Sequence, residues 1–163
     1  MTVEASVPVS ELPVSIAKVL ASDAPYDLAL RIIAASFEAG TATLHRADAG
    51  TQQLLMVAQL GLPEFLIPIT RQIPFGKGIA GQCAVQREPI TLCNLQTDDS
   101  GAARPNAKQT GVAGAISVPV FDPSGALVGT LGVGKASEHT YTPEEIQVLS
   151  DCAALLGRKL ATA

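Results

Sequence analysis

The chain has 163 residues, of which 47% are hydrophobic and only 16% are charged. It therefore has the length of one domain and enough apolar residues for a core, and it is not an intrinsically disordered protein, which would be poor in apolar residues and rich in charge. The net charge is −4, and no basic cluster predicts a nucleic-acid-binding face. No apolar run reaches the ~20 residues that span a membrane, and the N-terminus lacks the pattern of a signal peptide.

The N-terminal region predicts a short tail and two apolar helices. Residues 1–9 are small and mixed, which is typical of a flexible tail, so the domain is predicted over residues 10–163. Ser10 is a predicted cap of the first helix, and the run 22–25 offers a cap for the second. Apolar residues surround this second helix on almost every side, which predicts that it is buried, and Gly40 is its predicted end.

The rest of the chain predicts two hairpins that are separated by a short helix and followed by a long one. The predicted elements are, in order, strands at 41–46 and 53–58, a helical turn at 64–67, an extended piece at 71–75, a helix at 78–86, and strands at 89–93, 115–121 and 127–133. A tight turn at 122–125 joins the last two strands, which predicts antiparallel pairing. Thr142 and Glu145 have the spacing of a capping box for the final helix. This order of hairpins and helices predicts an α+β fold, an antiparallel sheet with helices on one face.

A glycine-rich segment and a long loop are the strongest candidates for a binding site. Residues 76–81 match the pattern G-x-G-x-x-G, which also occurs in dinucleotide-binding folds. The segment before it is polar and broken by proline, whereas a central parallel strand is a continuous apolar run, so this nucleotide site is not favoured. Backbone amides at 78–80 would instead face a bound anion or carbonyl group. Residues 94–112 lack periodicity, and loops of this length are often functional.

Five segments, in order and in register, resemble the GAF domain family. They are IPFGKGIAG at 73–81, REPI at 87–90, SVPV at 117–120, GALVGTL at 125–131 and YTPEE at 141–145. The resemblance covers about residues 12–160. It implies a central antiparallel sheet with the terminal helices on one face, and a short helix and a long loop that cover a small-molecule pocket on the other. Members of the family bind cyclic nucleotides, tetrapyrroles, haem, amino-acid-like effectors or 2-oxo acids, and pass the signal to an output domain.

The candidate pocket residues come from the short helix, the long loop and the strand that follows. They are Phe75, Ile79, Cys83, Asp98, Arg104, Asn106, Ala115 and Ser117. Ser117 is an isolated hydroxyl in an apolar strand, and a backbone hydrogen bond would explain it as well as a ligand would. The loop would also fit a plain surface excursion. The ligand itself, and any cofactor, stay unknown at this point.

One branch of the family, the free methionine sulfoxide reductases, is enzymatic and depends on reactive thiolates. By the resemblance, the cysteines of that branch fall on positions that hold other residues here, namely Thr70, Ala80 and Lys108. A glutamate of the same enzymes corresponds to Ala115. The chain's own Cys83, Cys93 and Cys152 show no CxxC or zinc spacing, and their odd number without a disulfide framework fits a reducing cytosol. No catalytic or metal-binding residue is therefore predicted, and a redox role of Cys83 with Cys93 is the alternative.

Other ligand classes of the family find little support in the residues. No cysteine is followed by histidine, as in bilin-binding members, and the N-K-x-F-D-E signature of cyclic-nucleotide-binding members is absent. His45 and His139, the candidate axial ligands for haem, are more simply explained as polar residues on a strand and in a loop. The low content of charged and aromatic residues favours a small site with aliphatic walls, whose few polar groups lie in the long loop.

The final helix carries an apolar stripe that would serve the core, a homodimer or both. The stripe consists of Ile146, Leu149, Cys152, Ala153, Leu156 and Leu160. The sequence thus predicts a cytoplasmic, non-catalytic, ligand-binding sensory domain that forms a homodimer through its terminal helices. The alternatives are a diverged reductase-like enzyme and a ligand-free dimerisation module.

Overall fold

A six-stranded antiparallel sheet forms the centre of the computed structural model, which describes residues 7–97 and 110–162. The strands are β1 (Thr41–Asp48), β2 (Gln53–Leu60), β3 (Gln72–Pro74), β4 (Ile90–Leu92), β5 (Gly114–Phe121) and β6 (Leu127–Lys135). Their order across the sheet is β3-β2-β1-β6-β5-β4. The two predicted hairpins, β1–β2 and β5–β6, are present, and the pairing of β1 with β6 joins them into one sheet.

Helices cover both faces of this sheet. They are α1 (Leu12–Val19), α2 (Pro25–Phe37), α3 (Ile67–Thr70), α4 (Gly78–Gln86) and α5 (Pro143–Ala161), and short 3-10 turns precede α1 and α3. The terminal helices α1 and α5 pack side by side on one face, while α4 contacts β5 and β6 from the other. This arrangement confirms the predicted α+β fold. Among the described residues, no helix is both long enough and apolar enough to cross a membrane.

The main core fills the space between the sheet and the helices α1, α2 and α5. On β5, Ile116, Val118 and Val120 alternate toward this core, and the predicted stripe of α5 is buried against it. Leu149 and Leu156 of the stripe are completely buried. Val7 and Val9, from the segment predicted as a tail, also pack against this core. The apolar stripe therefore serves the core of the single chain.

Two predicted helix ends are wrong, and the start of α2 lies within its predicted run 22–25 but has no side-chain cap. Helix α1 is capped by Glu11, because Ser10 lies inside the preceding 3-10 turn. Helix α2 is capped by Ala24 without a side-chain hydrogen bond, and the Ser22 hydroxyl instead donates to the carbonyl of Val19, 2.7 Å away, where α1 ends. The same helix ends before Gly40, because Glu38 adopts the left-handed conformation with φ of 53° and its N–H bonds to the last helical carbonyls.

The predicted capping box at the start of α5 is confirmed. The Glu145 amide donates to the Thr142 hydroxyl at 3.1 Å, and the Thr142 amide donates to the Glu145 carboxylate at 2.8 Å. That carboxylate also pairs with His139 Nε2 at 2.9 Å. Partial burial acts to raise the pKa of Glu145, but the hydrogen bonds from the Thr142 amide and from His139 outweigh it, so the pKa is lowered. They fix the point at which the chain leaves the sheet and enters α5.

Candidate functional site

A cavity of about 180 Å³ lies on the face of the sheet opposite the main core. Its floor is made by alternate residues of three adjacent strands, which all point to the same face. These are Thr41, Thr43 and His45 of β1, Gly132 and Gly134 of β6, and Ala115 and Ser117 of β5. An engineered cavity of about 150 Å³ binds benzene, so this one has room for a ligand of at least that order of size.

Two glycines of β6 leave space above the cavity floor because they have no side chain. In the sheet, Gly132 lies between Thr43 and Ser117, and Gly134 lies between Thr41 and Ala115. A Cβ atom on Gly132 would come within 3.2 Å of Thr43 Oγ1, and one on Gly134 within 2.6 Å of Thr41 Oγ1. Any side chain at these two positions would therefore take up the space that forms the cavity.

The walls of the cavity come from three segments that connect the strands. They are Leu62, Leu66, Ile69 and Thr70 between β2 and β3, residues 77–80 at the start of α4, and Leu95, Thr110 and Val112 beside the long loop. The only charged side chain among these lining residues is Lys77, which forms no ion pair with a described residue. The cavity is thus mainly apolar, with few polar groups, as is typical of small-molecule sites.

The glycine-rich segment builds the wall at the start of α4. Gly76 and Gly78 have φ values of 88° and 67°, which L side chains rarely adopt. A Cβ on Gly81 would lie 2.6 Å from the carbonyl oxygen of Pro74. These glycines therefore turn the chain and let α4 pack closely on the end of β3. Because β3 is an antiparallel edge strand, the motif does not stand in the parallel βαβ unit of dinucleotide-binding folds.

His45 connects the floor of the cavity to one wall. The ring is almost completely buried, and its Nε2 donates to the carbonyl oxygen of Thr70, the last residue of α3, at 2.9 Å. Burial lowers the pKa of His45, and the bond to Thr70 opposes this only in part. The other ring nitrogen, Nδ1, is buried and has no partner among the described residues.

Ser117 contributes a second buried polar atom. Its Oγ has no hydrogen bond of ordinary geometry to a described residue, so the backbone partner that would explain this hydroxyl without a ligand is not found there. The neighbouring thiol of Cys83 is a weak partner at best. Burial raises the pKa of Cys83 to about 12, and the nearby Ser117 hydroxyl offsets only a part of this effect. Cys83 is therefore a neutral, buried thiol between α4 and β5.

The structure brings three of the predicted pocket residues to the cavity. Ile79, Ala115 and Ser117 line it, whereas Phe75 and Cys83 do not. Phe75 packs in a separate apolar cluster with Leu54, Ile73 and Ala84, and Cys83 lies on the buried face of α4, whose first turn alone borders the cavity. The remaining predicted residues, Asp98, Arg104 and Asn106, lie outside the described residues, and so does Lys108.

Sequence reasoning missed most of the floor. Thr41, Thr43, His45, Gly132 and Gly134 line the cavity, but none was predicted to do so. The alternation of Thr41, Thr43 and His45 along one strand was a usable signal, because it places three polar side chains on one face. The other candidate haem ligand, His139, lies away from the cavity and pairs with Glu145. Among the described residues, no cluster of three or more His, Cys, Asp or Glu is placed to hold a metal ion.

Comparison with known proteins decides the family. The family model described as GAF domain matches residues 23–161. The chain belongs to the GAF domain family. This confirms the resemblance seen in the sequence. No significant match to a curated protein was found.

Several solved structures share the architecture of this GAF domain. The GAF domain of a phosphoenolpyruvate-protein phosphotransferase from Coxiella burnetii is 20% identical, with a TM-score of 0.79 over 95% of this chain and 94% of that chain. The free methionine-R-sulfoxide reductase of Neisseria meningitidis, solved in complex with its substrate, is 16% identical, with a TM-score of 0.77 over 94% of this chain and 88% of that chain. At such low identities, the likeness establishes the fold and leaves the ligand open.

Proposed function

We propose that this GAF domain is a non-catalytic sensory or regulatory module that binds a small molecule in the cavity between the sheet and α4. One observation carries the proposal: two residues of the cavity floor hold buried polar atoms that are not fully satisfied, since Nδ1 of His45 has no partner among the described residues and the Ser117 hydroxyl has at best the weak Cys83 thiol. Leaving such an atom unpaired costs about 1–3 kcal/mol. A bound polar molecule that completes these hydrogen bonds would recover this free energy.

A ligand in the cavity would also contact the described residues on either side of the long loop. Leu95 and Val112 line the cavity, and the Leu95 amide donates to the carbonyl of Ala113 at 2.6 Å. These contacts would connect the bound ligand to β5.

The cavity supports binding better than it supports thiol chemistry. Thr70 and Ala80, which stand where the reductase branch has cysteines, line the cavity without a nucleophile. Cys83 is buried with its pKa raised to about 12, and a thiol rather than a thiolate is a poor nucleophile. Cys93 is exposed and is not among the lining residues. These features favour a sensor over the diverged reductase that uses Cys83 and Cys93.

The proposal is tested by filling the cavity. Native mass spectrometry of the purified protein, together with thermal shifts against amino acids, 2-oxo acids and small amides, should reveal a ligand. Ala115→Leu places three further carbons in the cavity and should abolish binding, whereas Ala161→Leu, at the exposed end of α5, should leave binding unchanged. A ligand that binds equally to both variants would contradict a site in this cavity.

Two further measurements distinguish the proposal from its two alternatives. Turnover of free methionine sulfoxide with thioredoxin and NADPH that is lost in Cys83→Ser would establish the enzyme and overturn a non-catalytic role. Absence of any ligand, together with an unchanged melting temperature in Ala115→Leu, would favour a bare dimerisation module.

The homodimer and the cytoplasmic location belong to the same proposal. The stripe of α5 is used by the core, so a dimer would use the outer surfaces of the terminal helices, where α1 exposes 61% of Val14. The free cysteines agree with a reducing compartment. Light scattering should give twice the mass of the chain, and Val14→Asp should reduce it to that of a monomer. A monomeric mass for the unaltered protein would contradict the dimer.

A further inference from the structure

We infer that the ligand of this cavity presents a hydrogen-bond donor, an O–H or N–H group, to Nδ1 of His45. The inference deepens the proposed function and rests on it. It assigns the ligand to small alcohols, amides or amines with an apolar body. It excludes molecules whose buried end offers only acceptors, such as ketones, esters and 2-oxo acids.

The hydrogen bond to Thr70 decides which ring nitrogen of His45 carries the proton. A backbone carbonyl oxygen can only accept, so Nε2, which lies 2.9 Å from it, must be the donor. A neutral imidazole has one N–H group, and the other nitrogen then offers a lone pair. Nδ1 is therefore an acceptor that can be satisfied only by a donor from outside the ring.

The surroundings of His45 keep the ring neutral. The residue is 1% exposed, and no carboxylate among the described residues forms an ion pair with it. The charged side chain that lines the same cavity is the cation Lys77, which disfavours a second positive charge nearby. Burial acts in the same direction on the pKa. A doubly protonated ring, which would turn Nδ1 into a donor, is thus disfavoured by each of these groups.

The Ser117 hydroxyl on the floor and the Thr70 hydroxyl on the wall do not impose the same selection. The Ser117 hydroxyl can both donate and accept, so it accommodates either kind of ligand atom. Thr70 Oγ1 is already engaged with the carbonyl of Leu66 at 2.8 Å. Nδ1 has almost no accessible surface in this arrangement, so a ligand donor would reach it only if neighbouring side chains move. A ligand acceptor next to Nδ1 would be repelled, because its lone pair would face the lone pair of Nδ1.

Cyclohexanol and cyclohexanone form a matched pair of probes for this inference, since the rings are alike and only the alcohol can donate. In an NMR titration of the full chain, cyclohexanol should bind about five- to a hundredfold more tightly, which corresponds to the cost of one unpaired buried acceptor. The 15N resonance of His45 Nδ1 should move with the alcohol. In Ser117→Ala the preference for the alcohol should persist, because this hydroxyl does not discriminate.

Variants of His45 provide the second arm. His45→Phe should bind both probes equally, whereas His45→Gln, which retains an acceptor oxygen and an amide donor for Thr70, should keep part of the preference. Equal binding of the two probes to the unaltered protein would overturn the inference and leave the proposed function standing, as would binding of the alcohol without a change at Nδ1. Binding of neither probe would contradict both proposals.

Discussion

His45 links the central sheet to the wall of the cavity at α3. Its Nε2 satisfies the carbonyl of Thr70, and carbonyls in the last turn of a helix have no partner within the helix. The bond ties the short helix α3, which forms a wall of the cavity, to the centre of the sheet. The remaining nitrogen, Nδ1, has no partner among the described residues. A substitution at this position is therefore expected to disturb the wall and the ligand contact together.

The buried ring should make the stability of the fold depend on pH. Burial lowers the pKa of His45 in the folded protein, whereas the unfolded chain titrates near about 6.5. The unfolded state therefore takes up the proton first, so this contribution to stability is present above that pH and is lost as the pH falls toward the folded pKa.

Urea unfolding at about pH 7.5 and about pH 5.5 measures the effect, since carboxylates stay largely ionised over this window. The free energy of unfolding should fall at the lower pH, and His45→Gln should remove most of the difference. His139→Gln is the matched control. It should retain the part of the difference in unfolding free energy between the two pH values that His45 contributes. A free energy of unfolding that does not change with pH in the unaltered protein would contradict the prediction.

At the scale of elements, the docking of α5 on β5 depends on a glycine. A Cβ atom on Gly157 would lie 2.1 Å from the carbonyl oxygen of Phe121, so the helix backbone packs directly on the strand. This close approach brings the apolar stripe of α5 into the main core. The glycine is required for the packing even though it is a poor helix former.

The variant Gly157→Ala separates helix propensity from packing. At an exposed helical position, the change would stabilise the protein by about 1 kcal/mol. Here the added methyl group collides with backbone, and we expect a net loss of about 1–3 kcal/mol. Chemical denaturation followed by circular dichroism gives the sign directly. An increase in the free energy of unfolding would mean that α5 does not approach β5 as described.

At the scale of the whole molecule, the pairing of β1 with β6 unites the fold. Both strands have a neighbour on each side, whereas β3 and β4 are three-residue edge strands. Amide hydrogen exchange should therefore be slowest in β1 and β6 and much faster in β3 and β4, because edges open without global unfolding. Mass spectrometry with peptide resolution measures this order. Equal protection of edge and centre would indicate a sheet that opens only as a unit.

The sequence predicted the local elements well, and the start of α1 is the helix start that it missed. The bounds of α4 were predicted without error at 78–86, and both hairpins and the capping box at Thr142 were found. The cap at Ser10 was wrong, and in the run 22–25 the cap is Ala24 and not the Ser22 hydroxyl, because a hydroxyl near a helix start has other partners available and chain geometry selects among them. For the site, Ile79, Ala115 and Ser117 were placed at the cavity, but His45 and the glycines of β6 were not.

The sequence by itself determined the family, the α+β class and the order of hairpins and helices. Periodicity, turns and caps each depend on a few neighbouring residues, so they can be recognised without the tertiary structure. Only the tertiary structure decided the cavity. Its floor exists because β1 pairs with β6, which places Thr43 beside Gly132 although about ninety residues separate them. The unpaired nitrogen of His45 depends likewise on the distant carbonyl of Thr70. Contacts of this kind have no local signature, since they arise from the packing of segments far apart in the chain.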